Sequence, residues 1–515
     1  MSAPPPQQPT RPAHFPGDGE SRIGLPFLLW TLLLTATCLW PIWAQRFLPM
    51  QDYPQHLFIT KVLATFGDPA LDWPRHYTVH LASGAYILSY GLMRALALGL
   101  GVEIAGKLSI SLYVILMAVV VLRAARHAPS PAPPWPLLLV FPLLFHQCYF
   151  LGFQSYLLSL PLLLLALFAL ADVGAGPLSP RLGAKLALSV GLLLLAHPYT
   201  VLVFLALGGL LALAAWPDRA ALLRTLLPVL AVAALFGLWS LLGHGVAGAD
   251  KLEWAVRWWP PAGILAFLFA MFTGLRWQHG FAWPELPLWL TALGLIAFHA
   301  RRTALPWRFS RPALLLFAAT LLGFAALPFW LGYYSYFNLR LAPIAYFLGV
   351  LALAAVPLPR ASGHALGLVA WLLVALSAQA QARIGDETAT ILPVLEKMAP
   401  NSAVLPVLVD SRTRVLDSTL FYQLHAHEAY YYHVIRGGGV NPLPFPNPMM
   451  PVQLRADAPW PLLESTPVPE WPRALAPYRY VLVRGRDGAL LRLLTQLADV
   501  TATSGPWTLL EVRRP

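Results

Sequence analysis

LPMQDYPQHLFIT, residues 48–60, decides how the rest of the chain is read. It follows a long apolar segment, Ile23 to Ala44. That segment is long enough to cross a hydrocarbon core of roughly 30 Å as a helix. Asp52 therefore stands just past the end of a membrane span. An ionisable group at such a depth is costly unless it is buried in protein or faces a water-filled cavity, and such groups mark functional sites. The plain alternative is a solvated loop acid. The remainder of the chain has to separate the two.

Composition fixes the class. Of 515 residues, 58% are hydrophobic and only 11% charged. Soluble domains carry roughly 25% charged residues, so this is a polytopic membrane protein. Its apolar windows are continuous and lack the alternation of barrel strands. The net charge of +12 falls largely in short connections between apolar windows, where it sets topology rather than binding nucleic acid. The two cysteines, Cys38 and Cys148, form no disulfide framework and no metal-knuckle spacing. The first apolar segment is too long for a cleaved signal and reads as a retained anchor.

Residues 1–21 are polar and rich in proline and read as a disordered cytoplasmic tail. Arg11 and Arg22 keep that end inside. Residues 22–381 read as a transmembrane domain with a long external loop at 45–103. Spans are expected at 23–44, 104–122, 135–151, 154–172, 183–198, 200–216, 222–241, 285–300, 311–330, 341–357 and 362–380. Two further apolar pieces, Ala82 to Leu100 and Ala262 to Leu275, read as helices lying along the outer surface. Trp254, Trp258, Trp259, Trp277 and Trp283 suit the headgroup level there. With about eleven spans, every short-loop cluster of basic residues faces the cytoplasm and the C-terminus lies outside.

From Ala382 the composition changes. Residues 382–515 read as an extracytoplasmic α/β domain, so the fold class is an all-α polytopic membrane domain followed by a small α/β domain. Strands are expected at Ala403 to Val409, Tyr480 to Val483 and Trp507 to Val512. A helix is expected from Asp487 to Ala498, with Asp487 as its N-cap. Asn441 to Pro477 holds eleven prolines and reads as an extended loop.

Two constellations carry chemistry. The first is Asp52, with Gln51, Tyr53, His56 and, further on, Asp72 as candidate lining. Burial lifts a carboxyl pKa toward neutrality and suits it to act as a general base. The second is Arg340, beside Tyr333, Tyr334, Tyr336 and Asn338. A guanidinium there can grip phosphate oxygens bidentately, or it can simply snorkel among tyrosines. The run QLHAHEAYYYH, with His425, His427, Glu428 and His433, lacks the HExxH spacing and reads as aromatic packing. The loop 242–284, with His244, Asp250, Lys251, Glu253, Arg257 and His279, reads as solvated. His197–Pro198 reads as a helix end. Gly152–Phe153–Gln154–Ser155 reads as a tight turn with no chemistry of its own.

A span, an acid at its outer end and a long loop with surface helices resemble the GT-C superfamily of integral-membrane glycosyltransferases. VEIAGKLSISLYVILMAVVVLRAAR, residues 102–126, is similar to that family's second span. NLRLAPIAYFLGVL, residues 338–351, looks like its late Arg-x-x-Pro element, here Arg340 with Pro343. The resemblance implies transfer, with inversion, of a hexosyl- or pentosyl-type sugar from a polyprenyl-phosphate carrier to an outer-face acceptor. Its partners would be the lipid-linked sugar and membrane lipid, in a bacterial inner membrane. It gives Asp52 the role of base, or of an acid orienting acceptor or metal, and Arg340 that of donor-phosphate contact. Many members carry two adjacent acids where this chain has Asp52–Tyr53, so a divalent metal stays open. A transporter or flippase of lipid-linked saccharide is a second class, disfavoured by spans poor in charge. A non-catalytic scaffold is a third and predicts no enclosed site at Asp52.

Overall fold

The fold is seen in a computed structural model. It describes residues 23–513 apart from 81–85, 129–132, 176–178, 215–217, 243–255, 261–262, 265–276, 279–280, 283–284, 304–306, 332–334, 416–422, 443–449 and 456–470. The tail 1–21, most of the 242–284 loop, and Tyr333 and Tyr334 therefore lie outside the described residues.

The first helix is Leu25–Ala44, with Pro26 in its opening turn, where a missing N–H costs nothing. One side is fully buried at Phe27, Leu34 and Cys38, while Leu29, Leu32 and Trp40 are exposed. In water so much exposed apolar surface would drive association; against lipid tails it costs nothing. The buried side packs on two helices distant in sequence, Val102–His127 and Arg360–Ala389. Between them run Gln154–Ala175, Pro180–Ala196, Pro198–Ala214, Arg219–Leu242, Glu285–Ala300, Trp307–Ala326 and Leu341–Leu353. Among the described residues, five helices are long and apolar enough to cross a membrane, and shorter apolar helices join them.

One expected span takes another form. Residues 135–151 are not one α-helix. They make two 3-10 helices, Trp135–Val140 and Pro142–Phe145, and a single α-turn, Gln147–Phe150. Pro136 and Pro142 sit in the first turn of the two 3-10 helices and lack the N–H that an α-helix would use. Irregular backbone survives at membrane depth only where protein surrounds it. Here Leu341–Leu353 and Arg360–Ala389 do so, and the segment is buried throughout.

The segment after Asp52 is helical at Tyr53–Thr65, turns once at Trp73–His76, and forms strand β1 at Tyr77–Val79. Ile87–Leu100 follows and packs on Tyr53–Thr65 and Val102–His127.

The C-terminal region is built on the three strands expected, with two additions, β3 and β5. β2 is Val404–Leu408, β3 Val452–Leu454, β4 Tyr480–Arg484, β5 Ala498–Ser504 and β6 Trp507–Val512. Four of them form one sheet in the order β2-β4-β6-β5, parallel between β2 and β4 and antiparallel elsewhere. Asp487 caps a helix as expected, its carboxylate accepting from the amides of Ala489 and Leu490 at 2.9 and 3.1 Å. That helix ends at Leu494, because ADVTATS pairs with β6 and becomes a strand. Strand β3, inside the proline-rich stretch, pairs antiparallel with β1, Tyr77 opposite Leu454. The loop that begins at Asp52 is thus sewn to the C-terminal region.

Candidate active site

Asp52 is the residue from which the Tyr53–Thr65 helix starts. An aspartate there normally caps the helix by accepting an amide of the first turn. This one does not. Its backbone is already helical (φ −89°, ψ −4°), and Pro54 has removed one of the amides on offer. The carboxylate is left for other partners.

The neighbouring turn fixes its backbone. The Gln51 amide donates to the Phe150 carbonyl at 2.8 Å and the Asp52 amide to that of Leu151 at 3.2 Å. Gly152 follows in the left-handed region at φ +82°, and a Cβ there would fall 2.6 Å from the Asp52 nitrogen. Only glycine allows this approach. The Gly152 carbonyl accepts from His56 Nε2 at 3.0 Å, so His56 Nδ1 must accept from the Tyr90 hydroxyl at 2.7 Å. Burial pushes His56 down to about 4, against the Gly152 hydrogen bond, and the ring is neutral at physiological pH.

Asp52 is 7% exposed. Burial raises its carboxyl to about 7, with a hydrogen bond from Gln51 and the charge of Arg340 pulling the other way. That value suits a general base working near neutral pH.

Arg340 arrives from the far end of the sequence. It closes a 3-10 turn, Asn338–Arg340, at the head of Leu341–Leu353. The guanidinium is buried and donates from Nη1 to the carbonyls of Ser335 at 2.7 Å and Tyr336 at 3.1 Å. To offer that carbonyl, Tyr336 adopts φ +57°, a region costly for a residue with a Cβ. The guanidinium lies 4.4 Å from the ring centre of Phe153 and 5.9 Å from that of Tyr199, a cation–π pairing. Its own carbonyl accepts from the Tyr156 hydroxyl. Among the described residues, Nε has no hydrogen-bond partner and no carboxylate forms an ion pair with Arg340. A buried cation without an anion is held at a cost that a bound anion would offset.

Asp52 and Arg340 meet through one turn. Gly152 presses on Asp52 while Phe153 lies under Arg340. Tyr336 feels both charges: burial raises its hydroxyl to about 12, the Asp52 charge adds to this and Arg340 opposes it. From the C-terminal region, His427 Nε2 comes to 3.5 Å from Asp52 Oδ1. The Gln51 side-chain carbonyl accepts the Gln423 amide at 3.3 Å.

Of the residues picked out from sequence, Asp52, Gln51, His56, Tyr336 and Arg340 are brought together. Tyr53 and Asp72 are not. The Tyr53 hydroxyl lies 2.5 Å from where a Cβ on Gly106 would stand, in the packing against Val102–His127. Asp72 joins the outer end of the loop to the C-terminal region, accepting from His76 Nε2 at 3.0 Å and the Gly439 amide at 2.6 Å. Gly152, Phe153 and His427 belong to the constellation and were read from sequence as a bare turn and as aromatic packing. The glycine-aromatic pair between two apolar segments was the one available signal. Among the described residues, no group of three or more His, Cys, Asp or Glu side chains is arranged to hold a metal ion.

No family model matches the chain. No curated protein matches it by sequence. By structure it is similar to the crystal structure of ArnT from Cupriavidus metallidurans bound to undecaprenyl phosphate. The TM-score is 0.53 at 13% identity, over 94% of this chain and 97% of that one. The chain has the GT-C fold. A GT-C fold with these apolar helices makes it a multi-pass integral membrane protein. The same fold accounts for the sheet region placed after the last long helix.

Proposed function

We propose that this GT-C protein is a glycosyltransferase that moves a sugar from a polyprenyl-phosphate carrier to an acceptor hydroxyl or amine. One observation carries this: Asp52, uncapped and raised to about 7, lies within charge reach of Arg340, a buried guanidinium that no carboxylate among the described residues pairs with. Asp52 takes the acceptor proton as the acceptor oxygen or nitrogen bonds to the anomeric carbon. The bond from that carbon to the phosphate oxygen breaks, and the electron pair leaves on the polyprenyl phosphate. Arg340 stabilises the charge that develops there. Attack opposite the leaving group inverts the anomeric centre, by analogy with single-displacement hydrolysis. That the similar ArnT was crystallised with undecaprenyl phosphate supports this choice of carrier.

The basic clusters of the short connections support a cytoplasmic N-terminus, with Asp52, residues 45–103 and residues 382–515 at the outer face of a bacterial inner membrane. The test uses purified protein in lipid nanodiscs with undecaprenyl-phosphate-linked pentoses and hexoses and an extract of the native cell envelope as acceptor. Free undecaprenyl phosphate is the readout. Asp52→Asn should lower its formation by about a hundredfold or more. Unchanged release from a folded variant sinks the assignment.

A further inference from the structure

The segment Gln423–Tyr430 comes from the C-terminal region, yet it touches both residues at the start of the site. Its Gln423 amide donates to Gln51, and its His427 Nε2 stands 3.5 Å from Asp52 Oδ1. The segment is firmly held. The His425 amide donates to the Ser411 carbonyl at 3.0 Å. The His425 ring bridges two carboxylates, Glu428 at 2.6 Å from Nδ1 and Glu387 at 3.2 Å from Nε2. Glu387 belongs to the Arg360–Ala389 helix and also accepts from the Thr413 hydroxyl at 2.5 Å and the Arg414 amide at 3.1 Å. On the far side Glu428 faces Arg484 Nε at 3.8 Å, from strand β4. His425 is thus a peg between a long helix and the sheet region, and the residue two places on is aimed at Asp52.

We infer that His427 is a positioning residue for Asp52: it presents Nε2–H to the carboxylate and holds it toward the acceptor, so that the C-terminal region completes the site. Burial, with His56 nearby, pushes the His427 ring down to about 4. The ring is therefore neutral when Asp52 ionises. The contact is that of a neutral N–H donor with an anion, and His427 is not the proton store. At 3.5 Å it is longer than a finished hydrogen bond, as is common before a substrate is bound. Helix capping, which would otherwise orient Asp52, is absent. This inference rests on the transferase proposal only for what Asp52 does, not for how it is held.

The experiment therefore reads Asp52 itself. Infrared difference titration of the purified protein isolates the protonated-carboxyl band that disappears in Asp52→Asn. Among the described residues, the titratable and charged groups facing Asp52 are Arg340, Tyr336, Tyr90 and His427, with His56 beside His427. An N–H donor favours the charged form, so removing it should move the band's midpoint upward by about one pH unit in His427→Ala. His427→Gln, whose amide can reach the same oxygen, should restore most of the midpoint. His427→Asn, too short to reach, should behave as alanine and serves if His427→Ala does not fold. If His427 only covers Asp52, its loss admits water and the midpoint falls. A fall or no change in the folded variants overturns the inference. Failure of the transferase proposal would appear elsewhere, as undiminished transfer in Asp52→Asn with the titration unaltered.

Discussion

Asp52 and Asp72 stand on one segment of chain, and the fold treats them in opposite ways. Asp52 is buried, is not used as a cap and sits above its ordinary range, at about 7. Burial acts on Asp72 too, but the His76 ring and the Gly439 amide outweigh it and hold its carboxyl below the usual value. Asp72 ties a loop to the Gly437–Gly439 stretch beside β1 and β3. Asp52 ties nothing. A carboxylate whose hydrogen bonds favour its charged form strengthens the fold and is a poor base. One whose desolvation is only partly compensated weakens the fold and is a good base.

The comparison can be broken at either acid. The largest effect is expected at Asp52. A carboxyl that titrates at about 7 when folded and near 3.8 when unfolded loses its proton first in the unfolded chain. Native stability therefore falls between about pH 4 and pH 7, by roughly 4 kcal/mol in all. Asp52→Asn should abolish that fall. The variant should melt higher than the native protein in detergent at about pH 8, and the two should converge near pH 4. Equal melting temperatures at both pH values would mean that Asp52 is not desolvated. In the native protein the transfer rate should rise with pH through about 7 and level off above it, because only the ionised form accepts a proton.

Gly152→Ala comes next. Its Cβ would meet the Asp52 nitrogen, and φ +82° is strained for any side chain. The cost should be about 2–4 kcal/mol by thermal or denaturant unfolding. Residual folded protein should also transfer sugar more slowly, since Asp52 must move. A fully stable variant would show that the turn does not press on the acid.

Asp72→Asn should cost least, about 1.5–3 kcal/mol, by weakening two hydrogen bonds to a charged acceptor. Here the sign reverses. The native advantage is present above about pH 4 and is lost as acid protonates Asp72 below its lowered pKa. Transfer per folded molecule should be unchanged. A loss of activity at constant stability would place Asp72 in the site after all.

The apolar windows, the position of Asp52 after the first helix and three of the five C-terminal strands, β2, β4 and β6, were legible in the sequence, because each is a local property. Local reasoning failed at 135–150, where a window long and apolar enough to span is broken into 3-10 turns by its own prolines and tolerated by burial. It failed again at 498–504, where pairing with β6 ends a helix early.

The site was half legible. Asp52 and Arg340 stood out because charge is rare and costly beside a bilayer. Their proximity did not, nor did the service of Gly152, Phe153 and His427. The sequence by itself determined the membrane class and which residues carry unpaid charge, since both follow from composition and transfer free energy. Only the tertiary structure decided that the side chains of Tyr53 and Asp72 have partners elsewhere while His427 comes to 3.5 Å from Asp52. Burial, approach and hydrogen bonding between segments hundreds of residues apart belong to the packed molecule, and they alone determine which acid is raised and which is held down.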